Sequence, residues 1–369
     1  MGFLRRMFGS DGPAAGPEHD HLEDIELEAP GWAAIDAALA PIYGDQEPKH
    51  YGTIIKFALG GPDPLDGVSV YENPGPPAHW HYVGYGLSEL YAKESEDPEL
   101  SGWGIELTFR LVRGSDREPP MWPISLMQNL ARYVFETGAV LWPNHHMDAN
   151  GPIAQESKTA LHALLCARDP ELGEISTPHG RLTFVQLIGI TLDELAAVKA
   201  WNSAAFLGLW RERNPLLVTD LDRSSLLEDP AFAEEVAART AAEGSSLAGL
   251  NVDVLRWAAE GSGAVRVTFG AYAIEGVADL LRRRVARGLA AWIESADASL
   301  QLDPADEWAI STDEALLTIA MPAAAALALA DALRPTVGTY ETEEAPGLVV
   351  EVEETILRDS TGAEIGRVG

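Results

Sequence analysis

The amino-acid sequence predicts an α+β fold in two domains, and three observations carry that prediction. Short runs rich in aromatic and branched residues crowd together between turn-forming blocks, apolar residues at helical spacing flank them, and strand alternation restarts after residue 262. The length of 369 residues exceeds the roughly 100–200 residues typical of one domain. An apolar content of 46% with 22% charged residues is that of a folded globular protein.

Residues 1–28 are polar, hold no sustained period and are expected to form a disordered lead. Gly31 to Tyr43 reads as a helix, because Trp32, Ile35, Leu39 and Ile42 recur at helical spacing. Thr53 to Leu59 reads as a strand. The block GGPDPLDG from Gly60 is a turn-rich connector, since paired glycines permit positive φ, each proline fixes φ, and Asp side chains cap nearby amides. Val68 to Tyr71, His81 to Leu87 and Gly104 to Leu111 supply further strands of an antiparallel or mixed sheet. A second helix is signalled from Ser125, with Pro123 helping to start it and Gly138 ending it. Ala160 to Cys166 is read as an apolar helical run, with Cys166, the single cysteine, as a small core side chain in a reducing compartment.

Thr177 to Ile190 gives a turn and a strand, and Thr191 caps a helix with an acidic first turn. The first domain is expected over 29–225 and a connecting segment of low strand character, helical in its first half, over 226–262. A smaller α+β domain follows over 263–369. In it Val265 to Phe269 is a strand, Ala315 to Ile319 precedes a helix from Pro322 to Leu333, and Leu348 to Val352 is the last strand.

Several dense strings resemble the suppressor of fused family: LGGPDPLD from Leu59, HWHY from His79, ELTFRL from Glu106, Trp122-Pro123, LARYVF from Leu130 and Trp201-Asn202. The resemblance covers nearly all of Gly31 to about Asp220 and, more weakly, Val265 to Gly288. It implies a two-lobed protein, each lobe a mixed or antiparallel sheet packed with helices, that is not an enzyme, needs no cofactor and binds a protein or extended peptide in the cleft between lobes. Animal members resembling this chain restrain Gli transcription factors in Hedgehog signalling by clamping an extended peptide, which adds a strand to their sheets. The compact second lobe suggests a bacterial member, and bacterial members look like immunity proteins that neutralise toxins. Carried residue by residue, the peptide contacts fall on Tyr133, on Leu141, at or near Asn144-His145 where the family's aspartate is replaced, and on Tyr272, with Glu275 reached by a small shift.

Charge and chemistry fit that expectation. A formal charge of −31 repels nucleic acid and anionic lipid and favours a basic partner, a basic toxin among the candidates. No run approaches the roughly 18 apolar residues of a spanning helix, and Arg5-Arg6 is not followed by an apolar signal region, so cytoplasmic residence is expected. The alternative function is a metal-dependent hydrolase: His79 and His81 lie two apart on a strand and face one side, with Glu106 as a third ligand. Against it, Trp80 and Tyr82 mark packed positions, which favours structural hydrogen bonding. His145, His146 and Asp148 form a second ambiguous group in a stretch of loop composition. Gly84-Tyr85-Gly86 lacks the third glycine of a dinucleotide loop. Asp63 and Asp66 read as turn caps, and Arg282, Arg283, Arg284 and Arg287 as a solvated basic face or one that pairs with the acidic lobe.

Overall fold

The computed structural model describes residues 29–53, 57, 60–115, 117–155, 157–313, 315–358 and 364–369. The lead 1–28 and all of the expected strand Thr53–Leu59 except Thr53 and Phe57 lie outside them. The first lobe is built on one mixed sheet of eight strands, β1 (Lys49–Gly52), β2 (Gly67–Asn73), β3 (His79–Tyr85), β4 (Leu100–Val112), β5 (His146–Asp148), β6 (Ala163–Arg168), β7 (Glu174–Thr177) and β8 (Gly180–Ile190). Their order is β1-β2-β3-β4-β8-β6-β5, with β7 also on β8 and the β4–β8 pair parallel. Every residue of β3 is buried, because helices cover both faces of the sheet.

On one face, α2 (Trp122–Thr137) packs Met127, Leu130, Ala131 and Val134 against Val70, Trp80, Tyr82, Phe109 and Leu187. Pro123 lies in its first turn and Gly138 ends it with φ 73°, as the sequence predicts. The other face carries α1 (Pro30–Tyr43) over Tyr71, Val83, Tyr85 and Phe184. It also carries α3 (Leu192–Ala200), α4 (Ser203–Arg211) and α5 (Pro230–Glu243) over Leu165, Ile188 and Ile190. Thr191 and Glu194 form a reciprocal capping box at the start of α3.

In the second lobe, two mixed sheets share one apolar core with α6 (Ile274–Arg283) and α7 (Ala323–Ala332). The strands are β9 (Gly249–Asn251), β10 (Leu255–Glu260), β11 (Ala264–Gly270), β12 (Ala291–Glu294), β13 (Ser299–Pro304), β14 (Ala309–Asp313), β15 (Leu316–Met321), β16 (Gly338–Tyr340) and β17 (Leu348–Glu353). They run β10-β11-β17-β16 in one sheet and β14-β15-β13-β12-β9 in the other.

Three expectations are corrected. The run ending at Cys166 is strand β6, not helix: Leu164 and Cys166 pack toward α2 while Ala163, Leu165 and Ala167 pack toward α3–α5. A short run buried on both faces has no period that separates strand from helix. The segment 226–262 is helical in its first half, as α5, but its second half carries β9 and β10, which pair with β12 and β11. Finally, Leu348–Val352 is not the last strand, since β18 (Thr355–Arg358) and β19 (Glu364–Val368) follow as a hairpin.

The lobes are joined at Gly244-Ser245. Ser245 donates its N–H to the Arg283 carbonyl at 3.2 Å and its hydroxyl to the Lys199 carbonyl at 2.8 Å, so one residue touches both lobes. Arg284 donates to the Ser245 carbonyl at 2.8 Å and Arg287 to that of Ala241 at 2.7 Å. Two members of the basic cluster therefore tie the second lobe to the connecting segment. Arg282 reaches Asp331 and Arg283 reaches Asp279.

Candidate functional site

Two of the sheets end in short strands whose outer edges carry no partner strand among the described residues. β5 pairs only with β6, and β9 pairs only with β12. In the antiparallel β5–β6 pair, residues 145 and 149 bond across to 166 and 162, so by alternation the backbone N–H and C=O groups of His146 and Asp148 point outward. In the parallel β9–β12 pair, Trp292 donates to the Ala248 carbonyl and Val252 to that of Glu294, which leaves Gly249 and Asn251 pointing outward.

Both edges line one cleft. Two adjoining recesses, of about 840 and 890 Å³, share His146, Lys199, Leu247 and Asn251 in their walls. The first is also lined by Tyr133, Leu141, Asn144 and His145, the second by Tyr272 and Glu275. All six residues singled out from the sequence thus stand around this cleft, four on the first lobe and two on the second.

Local structure explains each placement. Tyr133 projects from α2, 40% exposed, whereas Leu141 is 7% exposed and belongs to the core cluster beneath the cleft. Asn144 takes φ 74° in a tight turn in which the His145 N–H donates to the Trp142 carbonyl at 3.0 Å. Tyr272, 67% exposed, sits on the short turn that leads into α6, and Glu275 lies in that helix's first turn. The expected loop around His146 and Asp148 is instead edge strand β5. Burial, with Lys199 and His145 nearby, lowers the pKa of His146 and keeps its ring neutral at pH 7. The sequence reading missed Lys199, Leu247 and the β9 edge. A strand of three residues, Gly-Leu-Asn, is too short to show a period.

Other charges in the second recess are acidic: Asp148, Asp253, Glu275 and Asp279 face the single Lys199. Such a lining complements a basic segment better than an acidic one.

The alternative metal trio is not assembled. Among the described residues no three His, Cys, Asp or Glu side chains are grouped to hold an ion. His79 Nδ1 bonds the Pro77 carbonyl at 2.8 Å, and His81 Nδ1 meets the Tyr43 hydroxyl at 2.8 Å. Glu106 Oε1 accepts from the Gly86 and Ser88 amides at 2.8 and 2.9 Å. His81 belongs to a buried ionic network in which Arg110 pairs with Asp169 at 2.7 Å and Glu171 at 2.9 Å. Arg110 holds the Asp169 carboxyl well below the usual carboxylate range, while burial and Arg110 push His81 down to about 4. These groups lock the sheet to α1. Asp63 pairs with Arg132 and Asp66 accepts the Tyr91 hydroxyl at 2.8 Å, so neither serves as a free acid.

Comparison with known proteins decides the family. A family model described as suppressor of fused protein matches residues 61–224. The human suppressor of fused homolog is 36% identical over 269 residues, which is 67% of this chain and 55% of the human protein. The mouse homolog is 37% identical over 241 residues. A chain in a solved structure titled the Sufu-Fu complex is 34% identical with a TM-score of 0.53, and the alignment takes in 98% of it and 57% of the present chain. The chain belongs to the suppressor of fused family.

The crystal structure of Drosophila suppressor of fused matches with a TM-score of 0.75 at 23% identity, over 88% of this chain and 97% of that one. That likeness is one of fold, and its reach takes in both lobes. The chain spans about half the length of the curated suppressor of fused relatives, at 55% and 49%. Of the strings that carry the resemblance, HWHY opens β3, ELTFRL lies in β4, and LARYVF lies in the second half of α2, with its Tyr133 lining the cleft.

Proposed function

We propose that this chain is a non-catalytic binding module that captures an extended segment of a partner protein in the cleft between its lobes. The observation that carries this reading is that the free edges of two separate sheets, β5 and β9, line the same cleft. An extended peptide satisfies such edges by main-chain bonding, and the flanking side chains select its sequence. A relative solved in a structure titled the Sufu-Fu complex supports a protein partner. Tyr133, Leu141, Asn144 and His145 select from the first lobe, Tyr272 and Glu275 from the second. The acid-lined recess and the charge of −31 favour a basic segment. Among the described residues no helix is long and apolar enough to cross a membrane. We place the protein in the cytoplasm as a bacterial immunity or regulatory protein, with a basic toxin as its target.

Selection from a random linear peptide library tests the capture reading. It yields basic, extended sequences that compete with one another, and a library that enriches nothing contradicts it. Co-expression with the product of a neighbouring toxin-like gene tests the immunity role. Restored growth and a stable complex support it, and growth arrest with no complex overturns it.

A further inference from the structure

Away from the cleft, a second concavity of about 320 Å³ lies between α1 and the β1–β2 pair. It shares no lining residue with the cleft. α1 presents Trp32, Asp36, Ala40 and Tyr43 to it, at the spacing that keeps side chains on one helix face. Opposite stand His50 of β1 and Tyr71 of β2. The rings of the two walls are fixed by contacts with their neighbours. Trp32 stacks on Tyr85 with ring centroids 4.3 Å apart and tilts against His50 at 5.3 Å, while Tyr43 stacks on Tyr71 at 4.3 Å.

Small residues make the space. A Cβ at Gly67 would lie 2.4 Å from His50 Nε2, so the ring can lie across that strand only over a glycine. Ala40, exposed on α1, leaves open the middle that a longer side chain would fill.

Its electrostatics point one way. Asp36 offers a carboxylate oriented by the Tyr85 hydroxyl, which donates to Oδ1 at 3.0 Å. The His50 ring is fixed by a 3.0 Å bond between Nδ1 and the Ser69 hydroxyl, and partial desolvation lowers its pKa against the opposing pull of Asp36. Neither lysine nor arginine is among the lining residues, so the pocket carries one negative charge beside electron-rich ring faces. Aromatic faces attract a cation through their quadrupole, and a carboxylate adds to that pull. We propose that this pocket binds a small organic cation, an amine or methylated ammonium head group, with the Trp32 ring as its wall and Asp36, one helical turn further on, as counter-ion. Its volume sits at the small end of ligand pockets, which suits a compact head group.

Titration of the full chain with choline and with 3,3-dimethyl-1-butanol, its uncharged isostere, followed by saturation-transfer NMR, tests this. Choline is expected to bind roughly tenfold more tightly than the isostere. Asp36→Asn is expected to weaken choline about fivefold or more, and Ala40→Leu to abolish it by filling the space. Equal affinity for the two probes, choline binding unchanged in either variant, or no choline binding at about 10 mM overturns the proposal.

Discussion

Two buried ionisable residues on neighbouring strands oppose each other in how they link stability to pH. His81 takes up a proton near pH 4 in the folded chain but near 6.5 when unfolded. Between those values the unfolded state binds more protons, so stability rises with pH. Glu106 is shifted the other way, from 4.5 up to about 7, mainly by burial. Between those values the folded state binds more protons, and stability falls as pH rises. The shifts are similar in size, so across pH 4.5–6.5 they offset one another. Glu106→Gln keeps an acceptor oxygen for the Gly86 and Ser88 amides and removes one of the two. Urea denaturation at pH 4.5 and 6.5 is expected to show stability rising with pH more steeply in the variant than in the wild type, by about 2 kcal/mol between the two pH values. Parallel profiles for the two proteins would contradict the assignment. These roles were only half legible. The spacing of His79 and His81 does put both on one face of β3, but nothing in the sequence shows that Arg110, Asp169 and Tyr43 occupy that face with them.

At the scale of elements, β5 and β9 are sheet edges whose outward-pointing amides both line the cleft. Proline removes an N–H and is tolerated where that N–H faces away from the ladder. His146→Pro and Asn251→Pro are therefore expected to fold with little change in thermal stability, and each to weaken capture of a selected peptide about five- to tenfold, the worth of one hydrogen bond. Met147→Pro, which breaks the bond to β6, is expected to lower stability instead. Unaltered binding in both edge variants would contradict strand addition. Elements with strong local signals were read correctly from the chain: the proline and glycine that bracket α2, the threonine cap of α3, and the alternation in β11. Elements whose identity depends on their neighbours were not. β6 is apolar on both faces and mimicked a helix, while β9 is three residues long and exists only because β12 lies beside it.

For the whole molecule, the distance between the two edges is set by the joint at Gly244-Ser245. Gly244 has φ 73°, and a Cβ there would lie 2.5 Å from the Arg283 carbonyl. Gly244→Ala is expected to cost about 1–3 kcal/mol and to speed exchange of the Ser245 and Ser246 amides, which bond to opposite lobes. Exchange rates matching wild type would contradict a joint at this position. The division into two lobes was legible in the length and in the restart of alternation after residue 262. The cleft itself was reached only through family resemblance, because the six residues at its rim are scattered from Tyr133 to Glu275 and share no local pattern. The most direct measurement of the central claim is hydrogen–deuterium exchange at single-amide resolution, with and without a peptide selected from a random library. Strand capture between the lobes predicts new protection on both edges, at His146 or Asp148 and at Gly249 or Asn251, with Met147 and Leu250, already bonded within their sheets, unchanged. Protection confined to one lobe or absent from all four outward amides would contradict it.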